Sequence, residues 1–268
     1  MRIAILEDDP SQMELVVRWL QLAGHYAHAF ERGAQLLRAL EHDSFDALLL
    51  DWNIPDISGL EVLKRVRQQL RSRIPIIFIT ARTDEADVVS ALRQGADGYV
   101  VKPMRRMELL ARLQAVTRRS APEAPQSEQL EVDVFRVDVA ARRLLRNDQP
   151  LDLTAKNFDL AAFFLRNVGR LLSRGHLREA VWKAARTVSS RTLDTHVSQI
   201  RNKLLLTPEH GWRLAAVYGY GYRLERLAKG TPLRAPQAES ATKERKQPAS
   251  QDLVGQETED SYAALFVP

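Results

Sequence analysis

Over the first 120 residues, short apolar runs alternate with amphipathic segments, and this alternation constrains the fold more than any other feature of the chain. The runs fall at residues 2–6, 25–29, 47–50, 76–79 and 98–101. Runs this short and this continuously apolar suit strands buried on both faces, as in a parallel sheet. Between them, Met13, Val16, Val17 and Leu20, then Leu60, Leu63 and Val66, recur at the spacing that lines one side of a helix. The pattern predicts an α/β fold, a doubly wound five-stranded parallel sheet with helices on both faces.

In such a sheet the residues just past the carboxyl ends of the strands converge on one crevice. Glu7 and Asp8 follow the first strand, Asp51 ends the third, Thr80 ends the fourth, and Lys102 with Pro103 follows the fifth. A hard divalent cation such as Mg2+ takes oxygen ligands and keeps several waters. Asp8 and Asp51 could supply carboxylates, with the Asn53 carbonyl alongside. A carboxylate can attack phosphorus to form an acyl phosphate if the phosphoryl charge is neutralised, and Mg2+, Lys102 and the Thr80 hydroxyl would do that. A strand-end Asp alone reads as a turn former and a single Lys as solvated; the full set at matching strand ends points to chemistry.

The 268 residues suffice for two domains. The segment APEAPQSE at 121–128 reads as a linker, separating a domain over 1–120 from one over 129–227. Residues 1–120 carry 17 Lys/Arg against 16 Asp/Glu, whereas residues 129–227 carry 17 against 10. A basic second domain fits a polyanionic partner. There, residues 130–153 read as short strands with a turn at Asn147-Asp148, and three helices are expected to start near Thr154, Ser173 and Ser189, each able to cap exposed amides. Residues 213–224 alternate around Gly219 and Gly221 as a hairpin does. Residues 228–268 lack a sustained period and read as a disordered tail. The chain has no cysteine, which excludes disulfides and thiolate chemistry. Without a long apolar run or a signal-like N-terminus, a cytoplasmic protein with no membrane association is expected.

ILEDDP at 5–10, LLLDWNIPDISGLEVL at 48–63, IIFITAR at 76–82 and GADGYVVKPM at 95–104 together resemble the receiver domains of two-component systems, which have the flavodoxin-like fold. The resemblance implies that Asp51 accepts a phosphoryl group from a sensor histidine kinase, that Glu7 and Asp8 help hold Mg2+, and that Lys102 contacts the phosphoryl oxygens. It further implies a switch pair, Thr80 and Tyr99, and a cis Lys102-Pro103 bond. No catalytic turnover is expected beyond the receiver's own phosphorylation and slow dephosphorylation. Relatives that carry a winged helix usually dimerise through charges on the fourth and fifth helices. Here Asp97, Glu108 and Arg112 fit that set, while Val88, Ser90, Gly98 and Arg105 depart from it.

In residues 189–204, Leu193, Val197, Ile200 and Leu204 form an apolar stripe, leaving Arg191, Thr195, Ser198 and Asn202 on the opposite face with His196, Gln199, Arg201 and Lys203 flanking it. With LTAKNFDLAAFFLRNVGRLLSRGHLREAVW at 153–182 and AAVYGYGYRL at 215–224, this stretch resembles the effector domain of the OmpR/PhoB family, an α+β winged helix-turn-helix. The resemblance implies that the third helix enters the major groove of double-stranded DNA and the wing lies along the adjacent minor groove, with Tyr218 and Tyr220 able to donate to the backbone. It implies direct-repeat half-sites in a promoter, with a second copy of the chain and RNA polymerase as further partners. The alternative is a regulator that binds DNA independently of phosphorylation and uses its receiver as a protein-interaction module.

Overall fold

The computed structural model describes residues 1–120, 129–182 and 189–227; the linker expected at 121–128 and the tail expected at 228–268 lie outside the described residues. Five strands, β1 (Arg2–Leu6), β2 (Tyr26–Phe30), β3 (Ala47–Leu50), β4 (Ile76–Thr80) and β5 (Gly98–Val101), pair in the order β2-β1-β3-β4-β5, and every pairing is parallel. β2 starts one residue later than the apolar run suggested. Gly24, at φ +76°, and His25 close the preceding helix, the His25 amide donating to the Leu20 carbonyl, and pairing begins at Tyr26 opposite Arg2.

The helices are α1 (Pro10–Leu22), α2 (Gly33–His42), α3 (Gly59–Gln68), α4 (Glu85–Arg93) and α5 (Arg106–Ser120). Alternation along the strands divides the core. Ile3, Ile5, Leu49, Ile77 and Val100 pack with Met13, Val16 and Leu20 of α1 and Leu109 and Leu113 of α5. Ala4, Leu6, Leu48, Leu50 and Phe78 pack on the other face with Leu36 of α2, Val62, Leu63 and Val66 of α3, and Ala91 of α4. Burying both faces explains why the strands read as unbroken apolar runs, each large side chain contributing about 1.5–3 kcal/mol. Asp9 caps α1 through the Ser11 and Gln12 amides, at 2.8 and 3.1 Å. α2 has no cap of its own; Asp56, from the loop after β3, accepts the Gly33 and Ala34 amides and ties that loop down.

The second half begins with an antiparallel meander, β6 (Gln129–Val132), β7 (Phe135–Asp138), β8 (Arg143–Arg146) and β9 (Gln149–Pro150). Asn147 and Asp148 form its last turn in the left-handed region, which these two residue types tolerate. Next come α6 (Ala155–Arg166), β10 (Leu171–Ser173), α7 (Arg174–Trp182), α8 (Ser190–Lys203) and the hairpin β11 (Trp212–Val217) and β12 (Gly221–Arg226). Thr154 and Ser189 cap α6 and α8, and the Ser173 hydroxyl accepts the His176 amide at the start of α7. β12 pairs with both β11 and β10. The core joins Phe135, Phe158, Phe164, Leu177, Leu193, Val197 and Ile200 around a fully buried Trp212, whose ring meets Phe135 edge-on at 5.4 Å. This is a winged-helix arrangement following a receiver-type sheet.

Candidate functional site

β1 and β3 are neighbours whose connections leave in opposite directions, so the crevice opens past their carboxyl ends. Glu7 and Asp51 are buried there and Asp8 is exposed. One carboxylate oxygen from each of the three lies within 4.8 Å of the others. Lys102 bridges two of them, its Nζ donating to Glu7 at 2.8 Å and Asp51 at 2.7 Å. Burial raises the Glu7 pKa, and the hydrogen bond and charge of Lys102 only partly offset it. For Lys102, burial acts to lower the pKa, but hydrogen bonds and charge from Asp51 and Glu7 outweigh it and the net shift is upward. Three hard oxygen donors converging beside one cation fit a divalent ion of the Mg2+ type.

The Asp51 oxygen accepts the Asn53 amide at 3.3 Å, which folds the loop back over the carboxylate. Thr80 is fully buried and its hydroxyl accepts the Arg82 amide at 3.3 Å. The Lys102-Pro103 bond is cis. Tyr99 lies inside, with its ring 6.3 Å from Phe78 and its hydroxyl donating to the Arg82 carbonyl at 2.9 Å.

Sequence reasoning missed two parts of this site. Arg82 spans its rim, with its guanidinium 5.2 Å from the centre of the Trp52 ring and an ion pair to Asp87 of α4 at 2.9 Å. An Arg two residues past a strand carries no periodic signal. Gly59, the first residue of α3, is the other: a Cβ there would stand 2.0 Å from the Asp51 carbonyl oxygen, so α3 approaches the acceptor loop as closely as only glycine permits. The GLEVL segment contained the signal, in a glycine at the start of a helix.

On α8 the apolar stripe Leu193, Val197, Ile200 and Leu204 is buried. Arg191, Thr195, Ser198, Gln199, Asn202 and Lys203 are exposed, and at the hairpin tip Tyr218 is fully so. Three other residues expected at the DNA surface are half-buried with partners inside the protein. His196 meets the buried Asn157 side chain at 2.6 Å and lies against the Trp182 ring; burial and the nearby Lys156 charge lower its pKa. Arg201 donates to the Leu214 carbonyl at 2.9 Å, tethering α8 to β11. Tyr220 donates to the Asp43 carbonyl at 2.8 Å. Two exposed members also have internal bonds: Gln199 accepts from Asn157 at 2.9 Å, and Lys203 donates to the Asp152 carbonyl. Among the described residues no helix is long and apolar enough to cross a membrane.

Comparison with known proteins covers both halves. Residues 3–114 match the family described as response regulator receiver domain. Residues 148–224 match transcriptional regulatory protein, C terminal. Among curated proteins, the sensory transduction protein RegX3 of Mycolicibacterium smegmatis is 38% identical over 226 residues, covering 83% of this chain and 98% of the relative. The transcriptional regulatory protein KdpE of Mycobacterium tuberculosis is 34% identical over 224 residues, with the same two shares. Among solved structures, the response regulator DrrB, a Thermotoga maritima OmpR/PhoB homologue, aligns at a TM-score of 0.41 and 25% identity, covering 84% of this chain and 98% of that one.

Proposed function

This chain belongs to the OmpR/PhoB family of two-component response regulators, and on that premise we propose that Asp51 takes a phosphoryl group from a sensor histidine kinase and that its phosphoryl state sets how the winged helix binds promoter DNA. The observation carrying this reading is the Lys102 ammonium held between Glu7 and Asp51 at the carboxyl edge of the sheet. A nucleophilic carboxylate, a fixed cation and a buried hydroxyl at Thr80 are the parts that phosphoryl transfer to an aspartate requires.

Glu7, Asp8 and Asp51, with the Asn53 carbonyl, would hold Mg2+, which when bound supplies positive charge against the incoming phosphoryl oxygens. Lys102 would exchange a carboxylate partner for a phosphoryl oxygen, and the Thr80 hydroxyl would turn toward the same group. Its amide partner belongs to Arg82, whose carbonyl holds Tyr99, so a shift at Thr80 is passed to the ring. The chain turns over no separate substrate.

In the effector half, α8 would enter the major groove through Arg191, Thr195, Ser198, Gln199 and Asn202, with Tyr218 on the wing toward the minor groove. A phosphorylated homodimer would form through α4, β5 and α5 and read direct-repeat half-sites, with RNA polymerase as a further partner. Val89, Leu92, Val101 and Met107 expose apolar surface on those elements. Asp97 is paired with Arg67, and Glu108 with Arg112, so apolar contact would supply much of that interface. The protein would act in the cytoplasm.

The test is a duplex titration by fluorescence anisotropy with and without acetyl phosphate and Mg2+. Affinity should rise in the wild type and stay unchanged in Asp51→Asn. An equal rise in the variant, or none in either, would favour a receiver that acts without phosphorylation.

A further inference from the structure

Asn157 lies in the first turn of α6, 1% exposed, beside Phe158 of the effector core. A side-chain amide removed from water needs partners, and Asn157 finds them on α8. Its Oδ1 meets His196 Nδ1 at 2.6 Å, and its Nδ2 donates to Gln199 Oε1 at 2.9 Å. His196 and Gln199 stand three positions apart and so share one side of α8. A single buried amide therefore braces two neighbouring residues of that helix.

The brace has a direction. With Nδ2 given to Gln199, Asn157 offers His196 an oxygen, so Nδ1 is the nitrogen of the imidazole that carries the proton. The imidazolium carries a proton there as well, so the direction holds in either charge state of His196. The Trp182 ring lies 5.3 Å from the His196 ring, and Lys156 fixes the end of α7 by donating to the Val181 carbonyl at 2.7 Å.

The consequence falls on Gln199, which is exposed. Its carboxamide has one accepting and one donating prong. The accepting prong is turned inward to Asn157, which leaves the donating Nε2 for a ligand. A glutamine reads adenine by using both prongs at once, the oxygen on N6 and the amine on N7. Here both cannot face the groove together. A lone amine suits guanine, whose N7 and O6 both accept along the major-groove edge, whereas adenine offers one acceptor beside an amine and thymine one acceptor beside a methyl group.

We infer that Asn157 is a positioning residue for DNA reading: it turns Gln199 so that α8 presents a donor to the major groove and selects guanine over adenine at one base pair. The inference rests on α8 entering the major groove.

The test is selection by the full chain from a pool of duplexes randomised over the binding region, at physiological salt, with sequencing of the retained duplexes. In the wild type, guanine should exceed adenine about fivefold or more at one position, and Gln199→Ala should remove that preference and no other. Asn157→Asp keeps the shape of the side chain but only accepts, so Gln199 must turn its amine inward and its oxygen outward. At the same position the preference should then pass to adenine or cytosine, whose edges carry an amine. Asn157→Ala, which buries no charge, lets both prongs of Gln199 turn outward, and guanine should lose its advantage over adenine there. A merely structural Asn157 would weaken binding evenly at all positions and shift none of them. Adenine favoured at the Gln199-dependent position of the wild type, the lack of any such position, or guanine retained in either Asn157 variant overturns the inference. If the wild type enriches no sequence at all, the DNA-binding reading fails first and the inference with it.

Discussion

Replacing Gly59 with alanine adds one methyl group at a position whose side chain takes no part in the proposed chemistry, yet it should disable Asp51. The added Cβ would stand 2.0 Å from the Asp51 carbonyl oxygen and 3.1 Å from the Phe78 ring, where ordinary contact begins at 3.4 Å. The obstacle is backbone, which cannot rotate aside as a side chain does. Either the acceptor loop or the start of α3 must move by about 1 Å. The Asp51 carboxylate is aimed by a 2.7 Å bond to Lys102 and a 3.3 Å bond from the Asn53 amide. A displacement of about 1 Å in a reacting group can cost about a hundredfold in rate. Overpacking a filled site costs about 1–3 kcal/mol in stability. Gly59→Ala should therefore be labelled by acetyl phosphate about a hundredfold more slowly, with a native circular dichroism spectrum and a lowered urea midpoint. Wild-type labelling together with a stability change under about 0.5 kcal/mol would refute the reasoning.

Arg191→Ala should weaken duplex binding and make the salt dependence shallower by about one unit of slope, while labelling at Asp51 is unchanged; an unaltered slope would remove Arg191 from the phosphate contacts. Leu193→Ala empties a fully buried position under α8 and should destabilise the effector half by about 2–5 kcal/mol, read by thermal unfolding. Asp43 and Asp46 of the first half and Glu179 of the second pair with Arg2, Arg170 and Arg2 respectively, and these carboxylates give the contact between the halves a pH dependence. Burial alone would raise Asp43, Asp46 and Glu179, but their partners outweigh it: Arg2 and Ser173 for Asp43, His176 and Arg170 for Asp46, and His28 and Arg2 for Glu179. All three are shifted downward. A lowered folded-state pKa means that the contribution is full above the ordinary carboxylate range and is lost as pH falls through the lowered values. Small-angle scattering should thus show the two halves joined down to about pH 4 and separating only below it, and separation between pH 7 and pH 5 would contradict the assignment.

The sheet and its crevice were legible in the sequence because two physical demands leave marks along the chain. Strands buried on both faces must be continuously apolar, and reactive side chains in a parallel sheet must follow strand ends, which placed Glu7, Asp51, Thr80 and Lys102 together. The buried stripe of α8 was legible for the same kind of reason, a 3.6-residue period. β10, of three residues, was too short to show a period. The inward partners of His196, Arg201 and Tyr220 were invisible because none lies within a helical or strand repeat of its residue: the separations are 39, 13 and 177 positions. Arg2, which reads as an ordinary polar start to a strand, is buried among Asp43, Ser44 and Phe45 of its own half and Ser173 and Glu179 of the other.

The most direct test of the account is to map the phosphoryl group. The full chain and Asp51→Asn would be incubated with acetyl phosphate and Mg2+, digested, and analysed by mass spectrometry. The account predicts a single phosphorylated peptide carrying Asp51 in the wild type and none in the variant. A phosphoryl group on another residue, or undiminished labelling of Asp51→Asn, would contradict it.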